Sequence, residues 1–274
     1  MSRLFGAMTW LRRRAGPLAD RLAYEVIYSL PQVARLGLFN GGYHPPPEDM
    51  PEVRGGAGGA ARVALYDVAM RVLPGVRPAP RVVLDIGCGP GGGLLYAAAA
   101  FPGARLIGVD LSRRAISAAR RTLAQAGVPA ELHVARGDRL PVADATVDAV
   151  VSISTVMYVG YAPFVAEAAR VTAPGGVISV AGAVVDTPLS WMRGRYAALA
   201  REHGLVVHAF EDITARGFAA MEAGAAANEA LIARLPWFVR GYAREAAVLP
   251  GSAKFELYRS GRKREYLVVM VREG

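Results

Sequence analysis

From residue 81 onward, short apolar runs alternate with helical stretches, and that alternation leaves little choice of architecture. The runs are "RVVLDI" (81–86), "RLIGVD" (105–110), "ELHVA" (131–135), "VDAVVSIS" (147–154) and "GVISVAGAVV" (176–185). Most are rich in β-branched residues and apolar on both faces, as parallel strands are when helices cover a sheet from each side. Between them lie segments of helical pattern at 92–100, 113–126 and 162–172. The second opens on Ser112, a favoured N-cap, and stops at Gly127. Strand-helix units in succession predict an α/β chain with a Rossmann-like, doubly wound, mostly parallel sheet. Right-handed crossovers then bring every strand's carboxyl end to one edge, where ligands bind.

After residue 186 the pattern loosens. A helix at 190–203 precedes the strand "LVVHAFEDI" (205–213), and a helical block at 214–247 reads as a lid inserted before the last strand. The stretch "KFELYRSGRKREYLVVMVRE" (254–273) reads as a hairpin turning near Ser260 and Gly261. Its final strand is expected to run antiparallel at the edge of a seven-stranded sheet. Ahead of the alternating region, residues 2–39 carry helical spacing divided by Pro17 and Pro31, and a helix is expected at 60–73. The Gly- and Pro-rich stretch "LFNGGYHPPPEDMPEVRGGAGG" between them reads as a hinge. Residues 1–75 thus form an N-terminal helical segment and part of the lid, and residues 76–274 form the Rossmann-like domain.

Composition narrows the partners. The formal charge is +9, but only Lys254 and Lys263 of the 32 basic residues are lysines, and the arginines are scattered in small clusters. No basic patch is interleaved with aromatics, so a nucleic-acid partner is not expected. No apolar run approaches the ~18–20 residues that span a bilayer. The N-terminal "MSRLFGAMTWLRRRAG" is too interrupted by arginine for a secretory core; it reads at most as a basic surface helix without stable membrane insertion. A single cysteine, Cys88, fits a reducing, cytoplasmic compartment.

The turn after the first strand, "VVLDIGCGPGGG" (82–93), contains Gly87, Gly89 and Gly92 in a G-x-G-x-x-G arrangement. That arrangement alone also suits a dinucleotide. Asp85 argues otherwise. A carboxylate two residues ahead of the turn repels a pyrophosphate, whereas it suits a ligand bearing an ammonium and a sulfonium, such as S-adenosylmethionine. Asp110 ends the second strand, where an acid accepts both ribose hydroxyls; this supports adenosine without choosing between the two cofactors. After the third strand comes "RGDRLPV" (136–142), whose Asp138 is placed to accept from the exocyclic amine of adenine beside Leu140 and Val142.

Together "VVLDIGCGPGGG", "LIGVDLS", "RGDRLPVADATVDAVVS" and "EAARVTAPGGVISV" resemble class I S-adenosylmethionine-dependent methyltransferases, over roughly residues 80–185. More narrowly, "LFNGGYH" and "FEDIT" are similar to small-molecule methyltransferases of phthiotriol, polyketide and quinone type. The resemblance implies that Asp85, Gly87 and Gly89 line the methionine end, that Asp110 holds the ribose, and that Leu111 lies on the adenine face. It further implies that Asp138 and Arg139 hold the adenine edge, that Ser154 faces the sulfonium, and that Tyr43 closes over the cofactor.

The acceptor chemistry is less constrained. Methyl transfer is an in-line displacement, and a base is needed only when the acceptor must lose a proton. After the fourth strand the chain reads "STVMYVGY", without a histidine. The candidates are Tyr158 just beyond that strand, His44 in the hinge, and His208 in the late strand near Glu211 and Asp212. No cluster has metal-ligand spacing. Large hydrophobes flank the core at Leu36, Leu38, Phe39, Trp191, Met192, Phe218, Met221, Leu235, Trp237 and Phe238, as an apolar acceptor pocket, lid packing or a homodimer contact would require. The expected function is methyl transfer to a hydroxyl oxygen, or less readily carbon or nitrogen, of a hydrophobic small molecule in lipid or specialised-metabolite biosynthesis. A cofactor-binding cyclase and an RNA methyltransferase are the alternatives.

Overall fold

The computed structural model describes residues 25, 42–43, 56–71, 80–235 and 237–274. The expected helical segment at 2–39 and the hinge therefore lie outside the described residues, apart from Glu25, Gly42 and Tyr43. In chain order the elements are α1 (Gly56–Arg71), β1 (Val82–Ile86), α2 (Gly92–Ala100), β2 (Arg105–Asp110), α3 (Arg113–Gln125), β3 (Glu131–Val134) and β4 (Val147–Ile153). There follow α4 (Val156–Val159), α5 (Tyr161–Val171), β5 (Thr172–Val185), α6 (Leu189–Glu202), β6 (Leu205–Asp212), α7 (Thr214–Ile232), α8 (Trp237–Ala246), α9 (Ala253–Arg259) and β7 (Lys263–Arg272).

One seven-stranded sheet has the order β3-β2-β1-β4-β5-β7-β6. β1 pairs in parallel with both β2 and β4, so the strand order reverses between β1 and β4. A crevice opens at such a reversal, outside the carboxyl ends of the strands. The apolar faces of the strands divide the core in two. On one face Leu84, Ile86, Val150 and Ile178 pack with Phe164 of α5 and with Met192, Tyr196 and Leu199 of α6. On the other, Val83, Val151, Ala181 and Val269 pack with Leu65, Tyr66 and Met70 of α1, Leu94 of α2 and Ile116 of α3. Each fully buried side chain of this size contributes roughly 1.5–3 kcal/mol of transfer free energy.

Local chemistry sets the boundaries. Ser112 Oγ accepts from the Ala115 N–H at 3.1 Å to cap α3, and Gly127, at φ 69°, follows its end. Asp148 Oδ2 accepts from the N–H groups of Arg81 and Val82 at 2.8 and 3.0 Å, tying the start of β1 to β4. On the first face, Tyr196 and Tyr266 share a hydroxyl–hydroxyl bond of 3.1 Å, and Tyr161 meets Tyr196 edge to face.

Two features of the C-terminal region differ from expectation. Residues 253–259 form helix α9 rather than the first arm of a hairpin. Ser252 Oγ caps it at 3.2 Å, and Phe255 and Tyr258, three residues apart, both turn into a cluster with Met221 and Val248. The alternating run "KFELY" satisfies a strand period locally, but a cap and a helical partner surface override it. Nor does the last strand lie at the sheet edge. β7 runs antiparallel between β5 and β6, and β6 forms the edge. The expected lid block at 214–247 is two helices, α7 and α8.

Candidate functional site

The turn after β1 is shaped by what its glycines leave out. Gly87, Gly89 and Gly91 have φ of 83°, 52° and 89°, a region that side chains disfavour. The N–H groups of Gly87 and Cys88 both donate to the Val109 carbonyl, at 2.7 and 3.1 Å, which folds the turn against β2. A Cβ on Gly87 would lie 2.0 Å from Thr155 Oγ1, and one on Gly93 would lie 2.2 Å from the Tyr66 ring and 2.5 Å from Asp85 Oδ2. Gly87→Ala is therefore expected to lower stability by roughly 2–3 kcal/mol through strained backbone and overpacking, read as a shift in the urea midpoint.

Two carboxylates bracket this turn. Asp110 is locked by backbone, its Oδ2 accepting from the Gly89 N–H at 3.0 Å and its Oδ1 from the Ser112 N–H at 2.8 Å. Burial raises its pKa, and the Ser112 and Gly89 bonds oppose that rise. Asp85 is fully buried; Oδ2 accepts from the Tyr66 hydroxyl at 3.3 Å, while Oδ1 has no partner among the described residues. Burial pushes its carboxyl up to about 7, against the Tyr66 bond and with help from the charge of Asp110. A buried carboxylate oxygen without a donor, beside a turn without side chains, is a place for a cationic group. Tyr66 is a positioning residue that the strand-and-turn pattern does not reveal; the small residue at Gly93, which makes room for it, is the only local trace.

The loop after β3 is braced from α5. Glu167 Oε1 accepts from the Leu140 N–H at 2.6 Å. Arg170 donates to both Glu167 oxygens, to the carbonyls of Leu140 and Val142, and to Asp144. Asp138 takes both donors of Arg136, at 2.7 and 2.5 Å, which hold its carboxyl below the usual range. Arg139 is exposed, Leu111 is half-buried, and Leu140 packs into the core. Ser154, at φ 55°, donates its N–H to the Ala181 carbonyl at 2.8 Å where β4 ends. Tyr158 is half-buried on α4, directly beyond that end.

Tyr43 is buried against α1, its N–H donating to the Ala61 carbonyl at 2.7 Å, with the Arg216 guanidinium 5.9 Å from its ring centre. The structure thus gathers Asp85, Gly87, Gly89, Asp110 and Ser154 at the carboxyl edge, with Asp138 one loop away and Tyr43 on the covering side. It does not bring His208 there. His208 is exposed at an irregularity of edge strand β6, between Val207 and Ala209, with Glu211 and Asp212 also exposed. His44 lies outside the described residues. Several of the expected pocket hydrophobes serve other ends. Phe218 and Met221 pack with Val248, Phe255 and Tyr258, and Leu235 packs with Ile232 and Leu249. Trp191 and Trp237 are 57% and 79% exposed, so neither lines an enclosed pocket in this structure.

A family model described as a methyltransferase domain matches residues 83–176, the span from β1 into β5 that holds both carboxylates. Over residues 83–176 the chain is thus similar to a methyltransferase domain. It is 40% identical over 97 residues to a fatty-acid O-methyltransferase of Mycolicibacterium smegmatis, covering 34% of each chain. It is 37% identical over 112 residues to a ubiquinone biosynthesis O-methyltransferase of Rhizobium etli, covering 40% of this chain and 42% of that one. The matched methyltransferase region thus spans well under half the length of these curated relatives. The fold likeness extends further. A geranyl diphosphate methyltransferase superposes with a TM-score of 0.69 over 92% of this chain and 98% of the other, at 19% identity. The [4+2]-cyclase SpnF does so with 0.73 over 94% and 97%, at 17% identity. Among the described residues no group of three metal-ligating side chains converges, and no helix is long and apolar enough to cross a membrane.

Proposed function

We propose that the protein transfers a methyl group from S-adenosylmethionine to a hydroxyl oxygen of a hydrophobic small molecule in lipid or specialised-metabolite biosynthesis. The observation that carries this reading is the unpartnered Oδ1 of buried Asp85 beside a turn whose glycines admit close approach. The donor set fits the cofactor in two places: a carboxylate for the ammonium and a backbone-oriented Asp110 for the ribose diol. When bound, the cofactor supplies a methyl group made electrophilic by its sulfonium. The chain's part is to hold that group, exclude water beneath α1 and α7, and present the acceptor oxygen in line. The O-methyltransferases of fatty acid and ubiquinone metabolism among the relatives support an apolar acceptor bearing oxygen.

Calorimetry with S-adenosylhomocysteine tests the cofactor half, and absence of binding at high micromolar ligand overturns it. Incubation with S-adenosylmethionine and a metabolite extract, followed by product mass, tests the transfer half. Cofactor bound but never consumed would favour the cyclase alternative.

A further inference from the structure

Glu265 is a further carboxylate at the ligand edge, beyond Asp85 and Asp110, and the cofactor site makes no use of it. β7 is antiparallel to its neighbours, so its first residues lie at the edge where the parallel strands end. The register runs from Ile153 through Ala181 to Leu267, and Glu265 pairs with Ala183. Glu265 therefore stands about 7 Å beyond the last residue of β4, two strands across from it. Asp85 is in register with Val151, Ser179 and Val269. Because Glu265 lies four residues from Val269, strand alternation puts it on the same sheet face as Asp85.

The carboxyl is held in place from several sides. The Tyr258 hydroxyl of α9 donates to Oε1 at 2.5 Å. The backbone of Glu265 is fixed to the start of α7, its N–H donating to Thr214 Oγ1 at 2.9 Å and its carbonyl accepting from the Ile213 N–H at 3.1 Å. A Cβ on Gly217 would lie 1.9 Å from Oε2 and 3.8 Å from the Gly42 carbonyl, so the carboxyl occupies the space between α7 and the segment carrying Tyr43. Glu265 as a whole residue is half-buried. The titratable side chains that act on it are Tyr258 of α9 and Lys263 of its own strand. Burial raises the carboxyl to about 7, while the Tyr258 bond and the charge of Lys263 oppose the rise.

We propose that Glu265 is the base for the methyl acceptor, that Tyr258 is its positioning residue, and that the acceptor is a hydrophobic phenol that reaches the carboxyl from the solvent side of the first residues of β7. This rests on the methyltransferase reading above. The acceptor O–H proton passes to Oε2 of Glu265. The freed electron pair on oxygen forms the new O–CH3 bond as the C–S bond breaks, its electrons return to sulfur, and the product thioether is neutral. The proton leaves Glu265 to solvent when product departs. A base near neutrality suits a phenol, whose unperturbed pKa is about 10 as in tyrosine, and would be superfluous for a carboxylic acid acceptor.

The test uses the full chain, saturating S-adenosylmethionine, and 3-pentadecylphenol or palmitate in mixed micelles as acceptor probes. Wild type is expected to methylate the phenol, with kcat rising tenfold per pH unit up to about pH 7. Glu265→Gln should lower kcat by roughly 10²–10⁴-fold and flatten that profile. Its affinity for S-adenosylhomocysteine by calorimetry should stay within about threefold of wild type. Tyr258→Phe, which removes the bond opposing the rise, should move the inflection to higher pH. Glu265→Gln turnover within threefold of wild type, an unmoved inflection in Tyr258→Phe, or methylation of palmitate but not of the phenol would each overturn the proposal. A wild-type chain that binds S-adenosylhomocysteine yet transfers nothing to the phenol overturns the acceptor class; one that fails to bind it overturns the methyltransferase reading instead.

Discussion

Replacing Asp110 by Ala is expected to weaken binding of S-adenosylhomocysteine at least a hundredfold. Each carboxylate oxygen of Asp110 already accepts one backbone N–H, from Gly89 and from Ser112, so the side chain is oriented before any ligand arrives. Its remaining acceptor capacity is what a ribose diol would use. Hydrogen bonds to a charged acceptor contribute about 1.5–3 kcal/mol each, and two of them correspond to roughly 10²–10⁴ in affinity. Alanine also releases the Gly89 N–H and so loosens the turn itself. Calorimetry at pH 8, with an unfolding curve of the ligand-free variant alongside, separates the two effects. A dissociation constant within threefold of wild type refutes the ribose role.

Asp85 predicts opposite effects on stability and on binding. Its folded carboxyl titrates near 7, whereas the unfolded chain titrates near 3.9. Between those values the folded protein holds a proton that the unfolded chain has lost, so this group makes stability fall as pH rises through the window. Above about pH 7 the folded state carries a buried, half-partnered charge. Asp85→Asn should therefore raise the ligand-free unfolding free energy at pH 8 by about 2–4 kcal/mol and change it little at pH 4. Glu265 contributes a slope of the same sign, which the comparison of variant with wild type cancels.

Binding should respond the other way. A cationic ammonium requires the ionised carboxylate, so wild-type affinity should weaken about tenfold for each pH unit below about 7. Asp85→Asn should bind weakly at every pH. Urea unfolding at the two pH values and calorimetry from pH 5.5 to 8 test both. A variant less stable than wild type at pH 8, or a wild-type affinity constant across that range, would overturn the assignment. A buried group that costs stability and improves ligand binding is the usual trade at functional sites.

Much of the cofactor side was legible in the chain itself because its signals are local. A strand is recognised from a few apolar residues, and β2, α2 and the Ser112 cap fall where the pattern places them. The turn is legible because its φ values strongly favour glycine, and Asp85 is legible because it is an acid inside an apolar strand. The acceptor side was not legible in this way. His208 sits in a convincing strand beside two acids, yet its strand is the outer edge of the sheet. Phe218 and Met221 look like pocket lining until α9 supplies a partner surface for them.

The chain alone thus determines that parallel strands alternate with helices, that the turn after β1 is bare of side chains and open to close approach, and that acids at positions 85 and 110 flank it. Each of these follows from backbone sterics or from residues near in sequence. Tertiary structure alone decided that β7 inserts between β5 and β6, which carries Glu265 to the ligand edge. It likewise decided that Tyr66 reaches Asp85 from α1 and Tyr258 reaches Glu265 from α9. Strand order depends on which faces the whole chain must bury, and a carboxyl's burial depends on elements remote from it. No periodicity within one segment encodes either.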